Sequence, residues 1–320
     1  MRPALLRRLQ YSPFLAQLVV IRKCNLECGY CNEYDKVSEP VPAGVLEQRL
    51  AKLVELGTFG ICLTGGEPTM HPDLPHLIRH CRDLGFVRTG MISNGFLLTP
   101  RLITALNKAG LQELQISIDG VRPNETTEKV LDNLRKRLIW LRDYARFQVT
   151  VSGVIGACEP EEAYEVVSFA KQLGFRPRVL LVHDDTGALR LSSEELRVFE
   201  DITRLIPKTW MDMTSYRDRL IADGVAPFKC RAGSRYLYVD EHGIVSWCSQ
   251  TRAYWHKPLA DYTAEDLREQ FYSHKACQDT CTLGCVRSAS QADNWRPQAA
   301  PDREPPRGER PSAERRLAVL

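Results

Sequence analysis

The 320-residue chain has no apolar run close to the roughly 20 residues that a membrane-spanning helix needs. It has no recognisable signal peptide, because the basic N-terminal stretch contains neither a clean apolar segment nor a small-residue cleavage site. A charge excess is also missing, since 43 basic residues face 40 acidic ones and the net charge is +3. That balance indicates neither nucleic acid nor an anionic membrane as a partner. We therefore expect a cytoplasmic protein.

Cysteine, by contrast, is abundant, with eleven residues. An odd number in a chain without an export signal argues against a disulfide framework. Three cysteines lie within 24–31 and three within 277–285, and Cys230 and Cys248 stand between these groups. Clusters of this kind in a cytosolic protein more often bind metal.

Strand-like and helix-like segments alternate over the first 190 or so residues. The strand-like segments are 15–23, 59–66, 87–95, 111–119, 147–156 and 176–184. The helical segments between them are 44–56, 74–84, 100–109, 128–145 and 161–173. Six largely apolar strands predict an α/β fold with a parallel sheet covered by helices, either a partial barrel or an open doubly wound sheet. Both arrangements gather ligands at the C-terminal ends of the strands.

Changes in composition divide the chain into five segments. They are an N-terminal segment (1–14, expected as a surface helix), the α/β core (15–190), a helical connection (191–229), a cysteine-rich region (230–293) and a tail (294–320). The cysteine-rich region contains a strand pair whose turn, Asp240 to Gly243, suits a hairpin. The tail is rich in Pro, Arg, Glu and Ala and is expected to be disordered.

The first cysteine group, Cys24-Asn-Leu-Glu-Cys28-Gly-Tyr-Cys31, directly follows the first strand. Three thiolates on a short loop can hold three irons of a 4Fe–4S cubane and leave the fourth iron open. The alternative is a structural zinc site, which requires four closed ligands. No histidine or fourth cysteine lies nearby in the sequence, so the spacing favours the cluster.

This motif resembles the signature of the radical S-adenosylmethionine (radical SAM) superfamily, Cys-x3-Cys-x2-Cys with an aromatic residue before the last cysteine. The resemblance implies a partial (β/α)6 TIM-like barrel and a 4Fe–4S cluster whose open iron binds S-adenosylmethionine (SAM), with Tyr30 near the adenine. It further implies reductive cleavage of SAM to a 5′-deoxyadenosyl radical, which abstracts hydrogen from a small-molecule or peptide substrate. A reductant such as flavodoxin or ferredoxin would supply the electron.

Polar motifs at the next three strand ends match this family in their order. By resemblance, the run after the second strand contacts the methionine amino group, and the motifs after the third and fourth strands lie near the methionine carboxylate and the ribose. The cofactor-binding residues implied are Gly65, Gly66, Glu67, Pro68, Ser93, Asn94, Ser117 and Asp119. Taken alone, each motif is also compatible with a turn or a loop cap. For His183, Asp184 and Asp185 after the sixth strand, solvation or helix capping explains the pattern better than substrate binding.

The later cysteines resemble the SPASM/twitch extension, an auxiliary iron–sulfur module that follows the core in many members of the family. Cys230 precedes Gly243 by a gap of twelve residues, and Cys248 follows after four more. Metal-ligand candidates here are Cys230, Cys248, Cys277, Cys281 and Cys285, one more than a single cluster needs. Four thiolates would also close a zinc tetrahedron, so zinc is the alternative at this second site.

A non-catalytic iron–sulfur protein for electron transfer or sensing is the rival interpretation of the whole chain. The Gly65–Pro68 motif argues against this rival, because an electron carrier needs no site for methionine. The sequence therefore predicts a radical SAM enzyme with an auxiliary cluster, and it specifies neither the substrate nor the net reaction.

Overall fold

The computed structural model describes residues 10–182, 189–206, 216–252 and 254–297. The trio at 183–185, the segment 1–9 and most of the predicted tail lie outside the described residues.

Six parallel strands form the core, each hydrogen-bonded to the next along the chain. They are β1 (Leu15–Ile21), β2 (Gly60–Gly65), β3 (Arg88–Ser93), β4 (Glu113–Ile118), β5 (Gln148–Ile155) and β6 (Arg176–Leu181). The helices that cover them are α1 (Ala43–Glu55), α2 (Leu74–Asp83), α3 (Pro100–Ala109), α4 (Leu131–Tyr144) and α5 (Pro160–Gln172). This architecture confirms the predicted partial (β/α)6 barrel.

Alternation along the strands explains why one sheet face is apolar and the other is mixed. On β1, Leu18 and Val20 pack into the main core with the α1 residues Leu46 and Leu50. Val19 points the opposite way and packs with the cysteine-rich C-terminal region. Strand β1 therefore contacts the covering helices with one face and the C-terminal region with the other.

Helix α3 illustrates how local sequence sets the ends of an element. Thr99 caps its N-terminus by accepting a hydrogen bond from the backbone of Leu102, and Pro100 occupies the first helical turn. Gly110 ends the helix at φ +88°, the left-handed conformation that favours glycine. The observed bounds are those predicted from the sequence.

The C-terminal region extends the core sheet at β1. Strand β7 (Tyr236–Val239) pairs in parallel with β1, and β8 (Ile244–Ser246) and β9 (His256–Pro258) follow in antiparallel order. The pairing of β7 with β8 forms the predicted hairpin, with Gly243 at φ +81° in its turn. The attachment of β7 to β1 was not predicted, because a four-residue strand carries no sign of its partner.

Four further helices complete the described chain. They are α6 (Ser193–Leu205), α7 (Tyr216–Asp223), α8 (Ala264–Tyr272) and α9 (Gly284–Gln291). Cys285 belongs to α9, whereas Cys277 and Cys281 lie outside the helices on either side of a short 3-10 turn. Arg296, inside the predicted tail, is buried and pairs with Asp293 at 3.1 Å, so packed chain continues at least that far. Among the helices described, none has the length and apolar character needed to cross a membrane.

Candidate active site

The first cysteine group lies on a loop, residues 24–31, that leaves the C-terminal end of β1. Its backbone is held by Cys24 N donating to Asp35 O at 3.0 Å and by Cys31 N donating to Cys28 O at 3.0 Å. Cys28 is buried, and Cys24 and Cys31 are partly buried. Burial raises the pKa of Cys24 and Cys31, so a bound cation is needed to favour their thiolates.

The donor set of this loop fits a cubane better than a single ion. In the described ranges, no three Cys, His, Asp or Glu side chains converge closely enough to hold one metal ion. A structural Zn²⁺ requires such convergence, whereas each iron of a cubane takes one thiolate. Three separate thiols on one loop suit three irons.

Glu67, predicted as a cofactor contact, joins the ends of β2 and β3. Its side chain is fully buried and accepts hydrogen bonds from Thr69 N at 3.0 Å, Ser93 Oγ at 2.8 Å and Asn94 N at 2.7 Å. Burial raises the pKa of Glu67, and these donors oppose the rise. The structure thus brings together three residues that the sequence assigned separately.

Asn94 links this group to the cysteine loop. Its amide Nδ2 lies 3.6 Å from Cys24 Sγ and donates to Asn25 Oδ1 at 2.9 Å. The β3 end and the first thiol are therefore neighbours at the same edge of the barrel, where ligands of such sheets gather.

Gly65 and Gly66 are required by the chain itself. A Cβ at Gly65 would lie 2.0 Å from the carbonyl oxygen of Ile21, and one at Gly66 would lie 2.2 Å from that of Arg22. The resemblance implied that these glycines bind the cofactor, and their close contact with the backbone at the end of β1 is a separate reason for glycine at both positions. Pro68, which is buried, begins a short 3-10 turn directly after them.

Asp119 is fully buried just beyond β4 and faces the cysteine loop. Tyr30 Oη and Thr127 Oγ1 each donate to its Oδ2 at 2.7 Å, and Lys129 Nζ lies 3.3 Å from its Oδ1. Thr127 Oγ1 is also 3.6 Å from Cys28 Sγ. Sequence reasoning missed Thr127 and Lys129, because they lie in an irregular loop without a motif.

Ser117 lies on the inner face of the barrel. It stands in register with Ser152 of β5, and Ser152 stands in register with Arg178 of β6. Ser152 Oγ is buried and has no hydrogen-bond partner among the described residues, and Arg178 donates to Gln115 at 2.7 Å. The structure therefore places Ser117 on a polar part of the inner face.

The second cysteine group is assembled from separate parts of the chain. Cys230 and Cys248 are buried beside β7 and β8, and Cys281 and Cys285 pack against them. Cys277, which is exposed, and Cys281 flank a 3-10 turn at 278–280. Cys230 N donates to Gln278 Oε1 of this turn at 2.8 Å, which holds Cys230 against the other two thiols.

Four of these five cysteines lie close enough together for their charges to affect one another's pKa. Burial raises the pKa of Cys281 well above its usual range. Cys230, Cys248 and Cys277 raise it further, because they are close enough to repel its negative charge. Burial likewise raises the pKa of Cys248, with further contributions from Cys277 and Cys230.

Cys285 has different neighbours. Burial raises the pKa of its thiol, whereas a hydrogen bond with Tyr236 and the charge of Arg178 lower it. Tyr236 Oη also donates to Gln17 Oε1 of β1 at 2.6 Å. Cys285 is therefore oriented toward polar groups of the barrel rather than toward the other four thiols.

Lys275 is a buried cation beside the second cysteine group. Its Nζ donates to Ser273 Oγ at 2.6 Å and to Gln270 O at 2.5 Å, and within the described chain it forms no ion pair with a carboxylate. Burial lowers the pKa of Lys275 to about 7, and Cys230 and Cys277 oppose that change. A buried ammonium without a carboxylate partner suits an anionic group nearby.

A network of charges joins the two cysteine regions. Glu33, just after the cysteine loop, lies 3.2 Å from Arg252 Nη1 and 3.6 Å from Arg22 Nη1, and accepts from Tyr238 Oη at 2.5 Å. Tyr238 and Arg252 belong to the C-terminal region. This network was not apparent from the sequence, because its members are up to 230 positions apart.

Comparison with known proteins supports a common family. A profile described as the Radical SAM superfamily matches residues 18–184, just over half of the chain. A PqqA peptide cyclase of Bradyrhizobium diazoefficiens is 34% identical over 112 residues, or 34% of this chain and 29% of that protein. An AdoMet-dependent heme synthase of Methanosarcina barkeri is 32% identical over 180 residues, or 51% of this chain and 48% of that protein. The chain thus spans half or less of these two relatives.

Among solved structures, Streptococcus suis SuiB bound to its precursor peptide SuiA matches with a TM-score of 0.62 at 16% identity. The match covers 84% of this chain and 67% of SuiB, and at this identity it concerns the fold. Members of the superfamily bind a 4Fe–4S cluster and SAM, and the Cys24–Cys31 motif lies inside the matched range. The prediction from the cysteine spacing is confirmed, and the chain belongs to the radical SAM superfamily.

Proposed function

We propose that this protein is an enzyme that cleaves SAM reductively and abstracts a hydrogen atom from its substrate. The observation that carries the proposal is the contact between the cysteine loop and the β2 and β3 ends, with Asn94 Nδ2 3.6 Å from Cys24 Sγ. Cys24, Cys28 and Cys31 would hold a 4Fe–4S cluster, which would pass an electron from an external reductant to SAM for its cleavage to methionine and a 5′-deoxyadenosyl radical.

The surrounding side chains bind and orient the methionine end of SAM. Ser93, Asn94 and Thr69 hold Glu67 in one orientation. The ends of β2 and β3 are therefore fixed relative to each other beside the cysteine loop. Tyr30 is 40% exposed although its hydroxyl is bound by Asp119, which leaves ring surface for contact with adenine.

The second cysteine group holds an auxiliary 4Fe–4S cluster. Its ligands are Cys230, Cys248, Cys277 and Cys281, which influence one another electrostatically. A cubane with four thiolate ligands is anionic, which agrees with the buried ammonium of Lys275 nearby. Such a cluster would bind substrate or accept an electron and so favour net oxidation. Zinc on the same four thiolates is the second candidate, and it would require them to move closer together than in the described structure, where no three such side chains converge on one ion.

The substrate is a peptide or a small molecule. The two matched relatives are named for a peptide cyclisation and for AdoMet-dependent heme synthesis, so one supports a peptide substrate and the other a small molecule. The likeness to SuiB, solved with a precursor peptide, adds support at the level of the fold.

Anaerobic reconstitution with iron and sulfide, followed by metal analysis, tests both sites. We expect about eight irons per chain, about four for each cubane. Reduction in the presence of SAM should then yield 5′-deoxyadenosine, detected by liquid chromatography. Fewer than about four irons, or no 5′-deoxyadenosine, contradicts the proposal. If the protein instead contains zinc and about four irons and still cleaves SAM, the second site holds zinc and not an auxiliary cluster.

The non-catalytic rival makes a separate prediction. An electron carrier or iron sensor would assemble its clusters and leave SAM intact. Incubation of the reduced, fully loaded protein with SAM separates the two, because full iron content without 5′-deoxyadenosine favours the rival.

A further inference from the structure

The carboxylate of Asp119 has no surface to offer a cofactor. Asp119 is 0% exposed, and its Oδ2 accepts from both Tyr30 and Thr127 at 2.7 Å. Its Oδ1 accepts no hydrogen bond from the described residues, but it is buried as well, and Lys129 Nζ lies 3.3 Å from it. A ribose hydroxyl could reach either oxygen only if the residues packed over the carboxylate moved.

The same residues hold the cysteine loop. Thr127 Oγ1 lies 3.6 Å from Cys28 Sγ, and Tyr30 stands between Cys28 and Cys31 in the sequence. The backbone repeats the connection, since Gly29 N donates to the carbonyl of Thr126 at 2.8 Å. The loop after β4 is therefore fastened to the cysteine loop by both side chains and main chain.

Asp119 also links the loop after β4 to the core sheet. Its backbone N donates to Lys129 O at 2.8 Å, and a β-bridge joins Gly120 to Val130. A buried carboxylate is stable only when it is paired and hydrogen-bonded, and Lys129, at 9% exposure, supplies the paired cation.

We propose that Asp119 is a positioning residue that holds the cluster-binding loop through Tyr30, Thr127 and Lys129, and that it is not a ligand of SAM. This inference rests on the first cluster of the proposed function. It replaces the expectation, based on resemblance, that Asp119 contacts the cofactor.

Lys129 adds a fixed positive charge beside the loop. Its Nζ donates to Tyr30 Oη and lies 5.2 Å from the centre of the Tyr30 ring. A nearby positive charge makes reduction of an anionic cluster more favourable.

The test uses Asp119→Asn, which keeps the shape of the side chain and removes its charge. The EPR signal that responds to SAM reports the first cluster alone, so its decay in the presence of an iron chelator measures how firmly the loop holds iron. We expect Asp119→Asn to accelerate that decay about tenfold or more, as for loss of hydrogen bonds to a charged group. The Kd for SAM should stay at the wild-type value. The opposite pattern, weakened SAM binding with an unchanged decay, overturns the inference.

Thr127→Val and the double variant Asp119→Asn/Thr127→Val test whether Asp119 stabilises the first cluster through Thr127. If Asp119 acts through Thr127, the double variant should decay more slowly than the product of the two single effects predicts. Independent, multiplicative effects contradict that route.

Lys129 variants provide a readout that a purely structural role would not change. Lys129→Met should lower the midpoint potential of the first cluster, and Lys129→Arg should restore it. An unchanged potential in Lys129→Met contradicts the proposed charge effect.

Controls separate failure of this inference from failure of the proposed function. A wild-type chain that takes up no SAM-responsive cluster contradicts the proposed function itself. If Asp119→Asn does not fold, Thr127→Val alone removes one donor to Asp119 without changing charge, and the same decay and Kd measurements decide the question.

Discussion

The two cysteine groups of this chain are built in different ways. The first lies on a single loop after β1, next to Glu67 and Asn94 at the edge where SAM is expected to bind. The second collects its thiols from three separate stretches of the C-terminal region, mostly buried beside β7 and β8. Three thiols leave a cluster open to a reactant, and four thiols close it. In the proposed assignment, the open site is therefore formed by one short loop, and the closed site is assembled from distant parts of the chain.

The largest expected effect comes from breaking the open site. Cys28→Ala should abolish 5′-deoxyadenosine production and lower the iron content by about four per chain, because two thiolates do not hold the cubane. Liquid chromatography of the reaction with reductant and SAM, together with iron analysis, measures both. Cys81→Ala is the matched control, since Cys81 is buried in α2 away from both groups. Turnover that survives Cys28→Ala contradicts the assignment of this ligand.

The second prediction distinguishes the ligands of the closed site. Cys281→Ser should remove the second cluster and about four irons, and Cys285→Ser should keep both, because Cys285 faces Tyr236 and Arg178 instead. Both variants should still cleave SAM. Iron analysis and EPR spectroscopy measure the outcome. If Cys285→Ser loses iron and Cys281→Ser retains it, Cys285 is the ligand and Cys281 is not.

The third prediction concerns the charge beside the closed site. Lys275→Met should lower the midpoint potential of the second cluster by about 59 mV, a tenfold change in the equilibrium of a one-electron couple. The buried ammonium favours the more negative, reduced cluster, and its removal withdraws that stabilisation. The first cluster should keep its potential. Lys52→Met on α1 is a control, and an EPR-monitored redox titration in which Lys275→Met matches that control refutes the charge effect.

The smallest expected effect concerns the hydrogen bonds that orient Glu67 beside the first cysteine group. Ser93→Ala removes one donor to Glu67 and should weaken SAM binding about fivefold, the effect of roughly 1 kcal/mol for one hydrogen bond. Iron content should not change. Equilibrium measurement of the Kd for SAM tests this, and an unchanged Kd indicates that Thr69 and Asn94 suffice to orient Glu67.

What the sequence predicted follows the same division into local and assembled features. The alternation of strands and helices, the bounds of α3 and the Cys24–Cys31 loop depend on short-range spacing, and each was predicted from that spacing. The choice of a partial barrel over an open sheet came from the resemblance to the family. The hairpin formed by β7 and β8 was also predicted, since its turn is local.

Features that depend on distant pairing were not predicted. The pairing of β7 with β1 brings residues more than 200 positions apart into contact, and nothing in either segment specifies the other. The roles of Thr127, Lys129 and Lys275 depend on burial and neighbours, which the residue types alone do not indicate. The choice among the five later cysteines was left open for the same reason.

The most direct test of the account is EPR spectroscopy of the two clusters separated by mutation. Reduced Cys281→Ser protein should retain only the first cluster, and reduced Cys28→Ala protein only the second. We predict that added SAM changes the spectrum of the first and leaves that of the second unaltered. A second cluster that responds to SAM, or a first cluster that does not, would contradict the assignment of the open and closed sites.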